Sequence, residues 1–370
     1  MSRVELDRVW KIYNGKVVAV EDLTFTIEEK EFLVVLGPSG GGKSSTLRML
    51  AGLEEISRGE IRFDGKVVNH LGPAERNIAL AFESYALYRH LTVYENIAFP
   101  LRVRGMKQKE VHEQVMQISE QLDLVHVLNR RPSSLAGGLQ QRVSLARALI
   151  RQPNLTLLDE PISHMDQRVR AEMRAVIRHI HDTMGNTTVY VTHDQAEAIA
   201  LADRIAIIKD GRLQQIGSLD DIWNRPANRF VASFVGEPQM NFIKAVIENS
   251  RSVLVPTPQG GYRFELYEEV DVKYVGAQVD MGIRPQEITL FRQKPEGNAI
   301  AGKVRVIEFA GESAVLTVDL DGEDSTKVKV VASGTDTFTQ GETLWLYLAP
   351  GYIHLFDGDI PIHRGITDMD

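Results

Sequence analysis

The 370-residue chain contains no cysteine, which excludes disulfides and thiolate metal ligands and suits a reducing compartment without demanding one. It also lacks any stretch approaching the roughly 18 unbroken apolar residues of a membrane-spanning helix. Met1 to Glu5 run straight into strand-like alternation with no signal-peptide core, so membrane association is expected to come through a partner. Positive charge is in deficit. A net charge of -8 gives no general attraction to phosphate backbones or anionic lipid, and no nucleic-acid partner is expected. No fixed-period repeat or low-complexity tract is evident. What is there, 43% apolar and 25% charged residues, is the composition of a globular protein, long enough for two or three domains.

From Val4 to about Ile27 apolar and polar residues alternate around a turn at Asn14-Gly15, which predicts two strands. Glu31 to Leu36 is a continuous apolar run ended by Gly-Pro, as expected of a strand buried on both faces. A glycine-rich loop follows, then a helix over Ser44 to Leu53. Helical spacing of Val111, Val115, Ile118, Leu122 and Val125 predicts a helix between about 107 and 128, and another is expected from Leu139 to Arg151. Leu155 to Leu158 reads as a second buried strand, Gln167 to Met184 as a helix and Thr188 to Val191 as a third strand. Alternating strands and helices imply a mainly parallel sheet. After about Val235 helical periodicity fades, and short strands such as Val304–Ile307, Lys327–Val330 and Thr343–Leu348 are separated by Gly-Gly, Asp-Gly and Pro-Gly breaks. Residues 236–370 are therefore expected to form a β-rich second domain.

Gly37-Pro38-Ser39-Gly40-Gly41-Gly42-Lys43-Ser44 fits the Walker A pattern and stands between a strand and a helix, as its chemistry requires. Glycines let backbone N–H groups curl around the β-phosphate of ATP, and the helix N-terminus adds partial positive charge. Lys43 is placed to reach the β- and γ-oxygens and Ser44 the accompanying Mg2+. Asp159 and Glu160 end the second buried strand, at the sheet edge where doubly wound folds bind ligands. There Asp159 would hold magnesium through water and Glu160 would polarise the attacking water.

In the same order across the first ~235 residues, these pieces resemble an ABC ATPase. Tyr13 matches the aromatic residue that stacks on adenine, Gly37 to Ser44 with the adjoining Ser45 the ATP-binding loop, and Leu135-Ala136-Gly137-Gly138-Leu139 the signature segment. Leu155 to Glu160 matches Walker B, Ser163 to Asp166 the D-loop, and Val191-Thr192-His193-Asp194 the switch histidine. Ala51 to Glu55, Ser84 to Tyr88, Met240 to Phe242 and Gly282 to Pro285 resemble the maltose and glycerol-phosphate importer ATPases. The resemblance implies an α/β P-loop NTPase over 1–235, with a helical subdomain at about 84–150, and an OB-like regulatory domain over 236–370. It implies ATP and Mg2+ as cofactors, and catalytic roles for Glu160 and His193. The implied partners are two membrane permease subunits, an extracytoplasmic substrate-binding protein and a second ATPase subunit. The chain would sit on the cytoplasmic face of the inner membrane.

Departures from the family pattern carry their own expectations. The signature normally reads Leu-Ser-Gly-Gly-Gln, and its serine hydrogen-bonds the γ-phosphate on the opposite subunit; here Ala136 and Leu139 replace the serine and glutamine. A hydrogen bond to a charged group contributes about 1.5–3 kcal/mol, so its loss in the transition state slows hydrolysis roughly 10- to 100-fold. Glu83 stands at the Q-loop position, where a glutamate can ligate magnesium yet repels phosphate. Arg89 replaces a usual proline. An altered signature in both sites of a homodimer, against one in a heterodimer, makes the asymmetric pair the expectation. Two readings compete with a sugar, polyol or glycerol-phosphate importer motor. One is a soluble ABC ATPase, which would normally show a tandem ATPase domain or a long coiled-coil insertion. The other is a mainly regulatory, weakly hydrolysing subunit.

Overall fold

Buried runs, glycine turns and capped helices partition the chain. The computed structural model describes residues 2–81, 86–257, 260–320 and 326–365. Two units are distinguished, Met1–Leu219 and Asp220–Asp370.

In the first unit the elements run β1 (Val4–Tyr13), β2 (Val17–Ile27), β3 (Phe32–Leu36), α1 (Lys43–Ala51), β4 (Arg58–Phe63), β5 (Lys66–Val67), β6 (Ile78–Ala81), α2 (Val93–Val103), α3 (Gln108–Gln121), α4 (Gly137–Leu149), β7 (Leu155–Asp159), α5 (Gln167–Met184), β8 (Thr187–Thr192), α6 (Gln195–Leu201), β9 (Arg204–Lys209) and β10 (Arg212–Gly217). Among the described residues two sheets form. An antiparallel one has the order β2-β1-β4-β5; the other, β10-β9-β3-β8-β7-β6, is parallel except for its edge strand β10. Every residue of β3 is buried because α1 packs on the sheet and the antiparallel layer closes over both; Leu33, Val35, Leu47, Leu50, Val9 and Leu23 share one core.

Helix boundaries follow local chemistry. Thr92 and Glu95 make a reciprocal capping box that starts α2, and Asp166 caps α5, whose buried Met173, Ile177 and Ile180 recur at helical spacing. The helix expected to reach 128 stops at Gln121. Asp123 turns into the left-handed region (φ 52°), and the chain resumes as a single 3-10 turn, Val125–Val127. Leu122, Leu124 and Val127 are nevertheless buried, so the apolar pattern continues through a turn that is not helical. No described helix is long and apolar enough to cross a membrane.

The second unit begins within α7 (Leu219–Asn224) and continues with α8 (Arg229–Phe234), β11 (Asn241–Asn249), β12 (Ser252–Val255), β13 (Tyr262–Glu265), β14 (Gln278–Ile283), β15 (Ile288–Phe291), β16 (Ala299–Ala310), β17 (Ser313–Leu320), β18 (Lys327–Ser333), β19 (Thr343–Leu348), β20 (His354–Asp357) and β21 (Ile360–His363). Its sheets have the orders β13-β12-β11-β14-β20-β21 and β15-β19-β16-β17-β18, with every pairing among the described residues antiparallel. Strict alternation along β17 turns Ala314, Leu316, Val318 and Leu320 inward, and they join Ile243, Phe264 and Met281 of the other sheet in one core. Residues 220–235, read from sequence with the first domain, lie in this unit. Ala232 packs on Met240 and Phe356, and the buried Arg284 guanidinium donates to the carbonyls of Trp223 and Val235 while lying 3.8 Å from the Trp223 ring centroid.

Two buried histidines make this unit acid-sensitive. Burial is the main cause that pushes His354 down to about 3, with Arg284, His363 and Arg364 adding repulsion; burial alone pushes His363 down to about 4. Both are neutral in the fold, whereas the unfolded chain takes up their protons near pH 6.5. Stability is therefore complete above about pH 6.5 and falls by about 1.4 kcal/mol per pH unit for each histidine as pH drops towards their folded values. Trp223 and Trp345 lie in this unit and Trp10 in the other. Urea melts of a Trp10→Phe background at pH 7 and 5, followed by fluorescence, are expected to show the loss, and His363→Gln to reduce it.

Candidate functional site

The loop joining β3 to α1 carries two glycines, Gly37 and Gly42, that admit nothing larger. A Cβ on Gly37 would stand 2.0 Å from the Ile208 carbonyl oxygen, and one on Gly42, which has φ 95°, would stand 2.4 Å from that of Ala19. The Gly41 N–H donates to Pro38 O at 3.1 Å, and Gly41 O accepts from the Gly211 N–H at 3.1 Å, so the curl is braced from two sides. Gly42 is the N-cap of α1, no side chain caps the helix, and its first turn carries no acidic residue, which leaves the N–H end open to an anion.

Lys43 is buried, and its Nζ donates to the carbonyls of Gly37 at 2.9 Å and Pro38 at 3.0 Å. Burial lowers its pKa from the ordinary lysine value, and the negative charges of Glu160 and Asp159 oppose that shift. The ammonium is thus held within the loop that leads into the uncapped start of α1, with phosphate oxygens able to replace the two carbonyls. That is the chemistry of a polyphosphate cradle.

Across the parallel pairing of β7 with β8, the carboxylates come to the same place. Ser44 Oγ donates to Asp159 Oδ1 at 3.3 Å, and the two oxygens offer hard ligands suited to a divalent cation beside the phosphates. β7 ends at Asp159. Glu160 turns out of the strand with φ 44°, held by its N–H to Val191 O at 3.0 Å and by the Ser163 hydroxyl, which donates to Glu160 O at 3.0 Å. Its Oε2 lies 3.1 Å from His193 Nδ1. Such a left-handed conformation at a non-glycine residue costs on the order of 1–3 kcal/mol, and the flanking bonds maintain it.

Other sequence-predicted residues are placed as follows. Tyr13 closes β1, its hydroxyl 3.3 Å from Ser45 Oγ, with Lys11 Nζ 4.8 Å from the ring centroid. Ser39 and Gly40 lie on the outer curve of the loop, and no neighbour would meet a Cβ on Gly40. Asp166 accepts from the Val169 N–H at 3.1 Å as the cap of α5. Leu135 to Leu139 run into α4, whose N-cap is Ala136 with no side-chain cap, and Gly138 faces Val169 of α5. Among the described residues no hydrogen bond or ion pair joins this segment to the phosphate loop. Glu83 lies outside the described residues, as do Ser84 and Tyr85; Arg89 is exposed. Sequence reasoning missed Arg170 and Glu197. Arg170 pairs with Asp194 at 2.9 Å, and Glu197 is buried beneath the His193 turn. An inward-facing glutamate beside buried Ala198 on α6 was the available signal.

Comparison with known proteins agrees with this geometry. The ABC transporter family model matches residues 20–163, the MalK OB fold domain 236–288 and the TOBE domain 281–356. The chain is 42% identical over 337 residues to the trehalose/maltose import ATP-binding protein MalK of Thermococcus litoralis, covering 87% of this chain and 89% of that protein. It is 41% identical over 331 residues to the oligosaccharides import ATP-binding protein MsmX of Bacillus subtilis, covering 88% and 90%. Among solved structures, the dimeric post-hydrolysis state of the ATP-binding cassette MJ0796 bound to ADP and Pi matches with TM-score 0.52 and 30% identity, covering 58% of this chain and 98% of that one. Matches of this length and identity place the chain among the ATP-binding subunits of the ABC transporter family, and it is an ATPase.

Proposed function

We propose that this chain drives a carbohydrate importer from the cytoplasmic face of the membrane, binding ATP between its own phosphate loop and the signature of a second ATPase subunit. The observation that carries the reading is the convergence of Lys43, Ser44, Asp159, Glu160 and His193 at one end of the parallel sheet. The sugar-import names of its relatives supply the substrate class.

Ser44 and Asp159 would hold the magnesium ion, which when bound neutralises phosphate charge. Lys43 and the N–H groups of Gly40 to Lys43 fix the β- and γ-phosphates, and Tyr13 offers its ring to the adenine. Glu160 orients a water for attack on the γ-phosphorus and takes up its proton, while His193 steadies that carboxylate. Closure around ATP then passes to two permease subunits, whose extracytoplasmic binding protein delivers the sugar.

A signature containing Ala136 and Leu139 favours an asymmetric pair, in which this chain's phosphate loop meets an intact signature and its own signature faces the weaker site. Affinity purification with the membrane partners, mass spectrometry of every ATPase present and a turnover assay test this. The expected result is a second, different ATPase carrying Leu-Ser-Gly-Gly-Gln. This chain alone at two copies with brisk turnover would reject the asymmetry, and turnover no higher than that of a Glu160→Gln complex would favour a regulatory subunit instead.

A further inference from the structure

The link between β8 and α6 is two residues long. β8 ends at Thr192, α6 begins at Gln195, and between them stand His193 and Asp194. The His193 side chain is 52% exposed, so packing does not aim its imidazole at Glu160. Its direction comes from the backbone on either side. We propose that Thr192 and Glu197 form a buried positioning relay that fixes this turn and thereby holds His193 against Glu160. The inference rests on the catalytic reading of those two residues.

The relay is a closed ring of hydrogen bonds. The Asp194 N–H donates to Thr192 Oγ1 at 3.0 Å, the Thr192 hydroxyl donates to Glu197 Oε2 at 2.6 Å, and the Glu197 N–H donates to Asp194 Oδ1 at 3.2 Å. Direction is forced: a carboxylate only accepts, so the Thr192 proton points to Glu197 and its lone pair is left for the Asp194 N–H. Thr192 and Glu197 are each 2% exposed, which shields the ring from competing water. Burial raises the Glu197 pKa, and the bonds from Thr192 and Tyr190 draw it back towards the charged form. A second arm runs outward, where Asp194 Oδ2 meets Arg170 Nη1 at 2.9 Å, one turn into the helix that Asp166 caps. The segment around His193 is thus tied to the helix that follows Ser163 to Asp166.

A natural control sits in the same cluster. The Tyr190 hydroxyl also donates to Glu197 Oε2, at 2.9 Å, and among the described residues no bond from it reaches the His193–Asp194 backbone. Thr192→Val and Tyr190→Phe each delete one buried hydroxyl from one carboxylate, but only the first severs the link to the turn.

The test is steady-state ATP turnover of the assembled transporter carrying Thr192→Val, Thr192→Ser, Tyr190→Phe or His193→Ala, with thermal melting of each. Thr192→Val is expected to lower kcat by about 10- to 100-fold with KM for ATP almost unchanged, as a small misplacement of a reacting group does. Thr192→Ser should restore most of kcat. Tyr190→Phe should lower the melting temperature and leave kcat within about threefold, a change too small to reflect lost positioning of a reacting group. Equal losses in kcat for Thr192→Val and Tyr190→Phe would overturn the relay in favour of general destabilisation. If His193→Ala stops turnover while Thr192→Val does not, the relay alone is wrong. If His193→Ala turns over normally, the catalytic reading of His193 fails and the relay with it.

Discussion

Assembled transporter carrying Glu160→Gln is expected to bind ATP at least as tightly as the parent and to hydrolyse it about 10²–10⁴-fold more slowly, the range set by loss of a general base. Glutamine keeps the size of the side chain and can keep the contact to His193, 3.1 Å away at Nδ1. It removes a negative charge beside the proposed site of the γ-phosphate, which favours nucleotide binding. The strained backbone at φ 44° is a property of the turn, held by Val191 O and the Ser163 hydroxyl, and the substitution leaves those bonds in place. Turnover and affinity for a fluorescent ATP analogue separate the outcomes. A matched fall in both would make Glu160 a structural residue of the turn.

Restoring the signature serine should move turnover in the opposite direction. Ala136 is the N-cap of α4, with φ -66° and ψ 156°, and no side chain caps that helix. A serine there serves two roles that alanine cannot. In the free subunit its oxygen accepts from an N–H of the first turn, stabilising the helix by about 0.5–2 kcal/mol. In the proposed closed dimer its hydroxyl would donate to the γ-phosphate, a bond of about 1.5–3 kcal/mol. Ala136→Ser is therefore expected to raise the melting temperature of the chain and to raise turnover at the site it faces about 10- to 100-fold. A melting shift without faster turnover would separate the two roles and deny this signature a part in hydrolysis.

Which features were legible in the sequence follows from whether their cause is local. The phosphate loop declared itself because its requirement is local: positive φ, absent Cβ atoms and a lysine at the helix start all fall within eight residues. The β-rich tail was legible for the same reason, since alternation such as Ala314, Leu316, Val318 and Leu320 records burial of one sheet face. The end of α3 was not legible. Buried Leu124 and Val127 prolong the apolar pattern past the left-handed Asp123, and periodicity cannot distinguish a buried turn from another helical turn. Nor was the packing of residues 220–235 with the second unit, because Ala232 finds its partners at Met240 and Phe356, the second of them far along the chain.

Taken alone, the sequence determined that a strand, a glycine loop and a helix would form an anion cradle, and that two carboxylates would stand at the end of a buried strand. Tertiary structure alone decided what those groups touch. Parallel pairing of β7 with β8 brings Glu160 to His193, 33 positions along the chain, and a buried ring through Thr192 and Glu197 holds the turn that aims the imidazole. The physical reason is the reach of each interaction. Backbone conformation and helix-end charge act within a turn or two, whereas the direction of a half-exposed side chain depends on distant groups that share its hydrogen bonds.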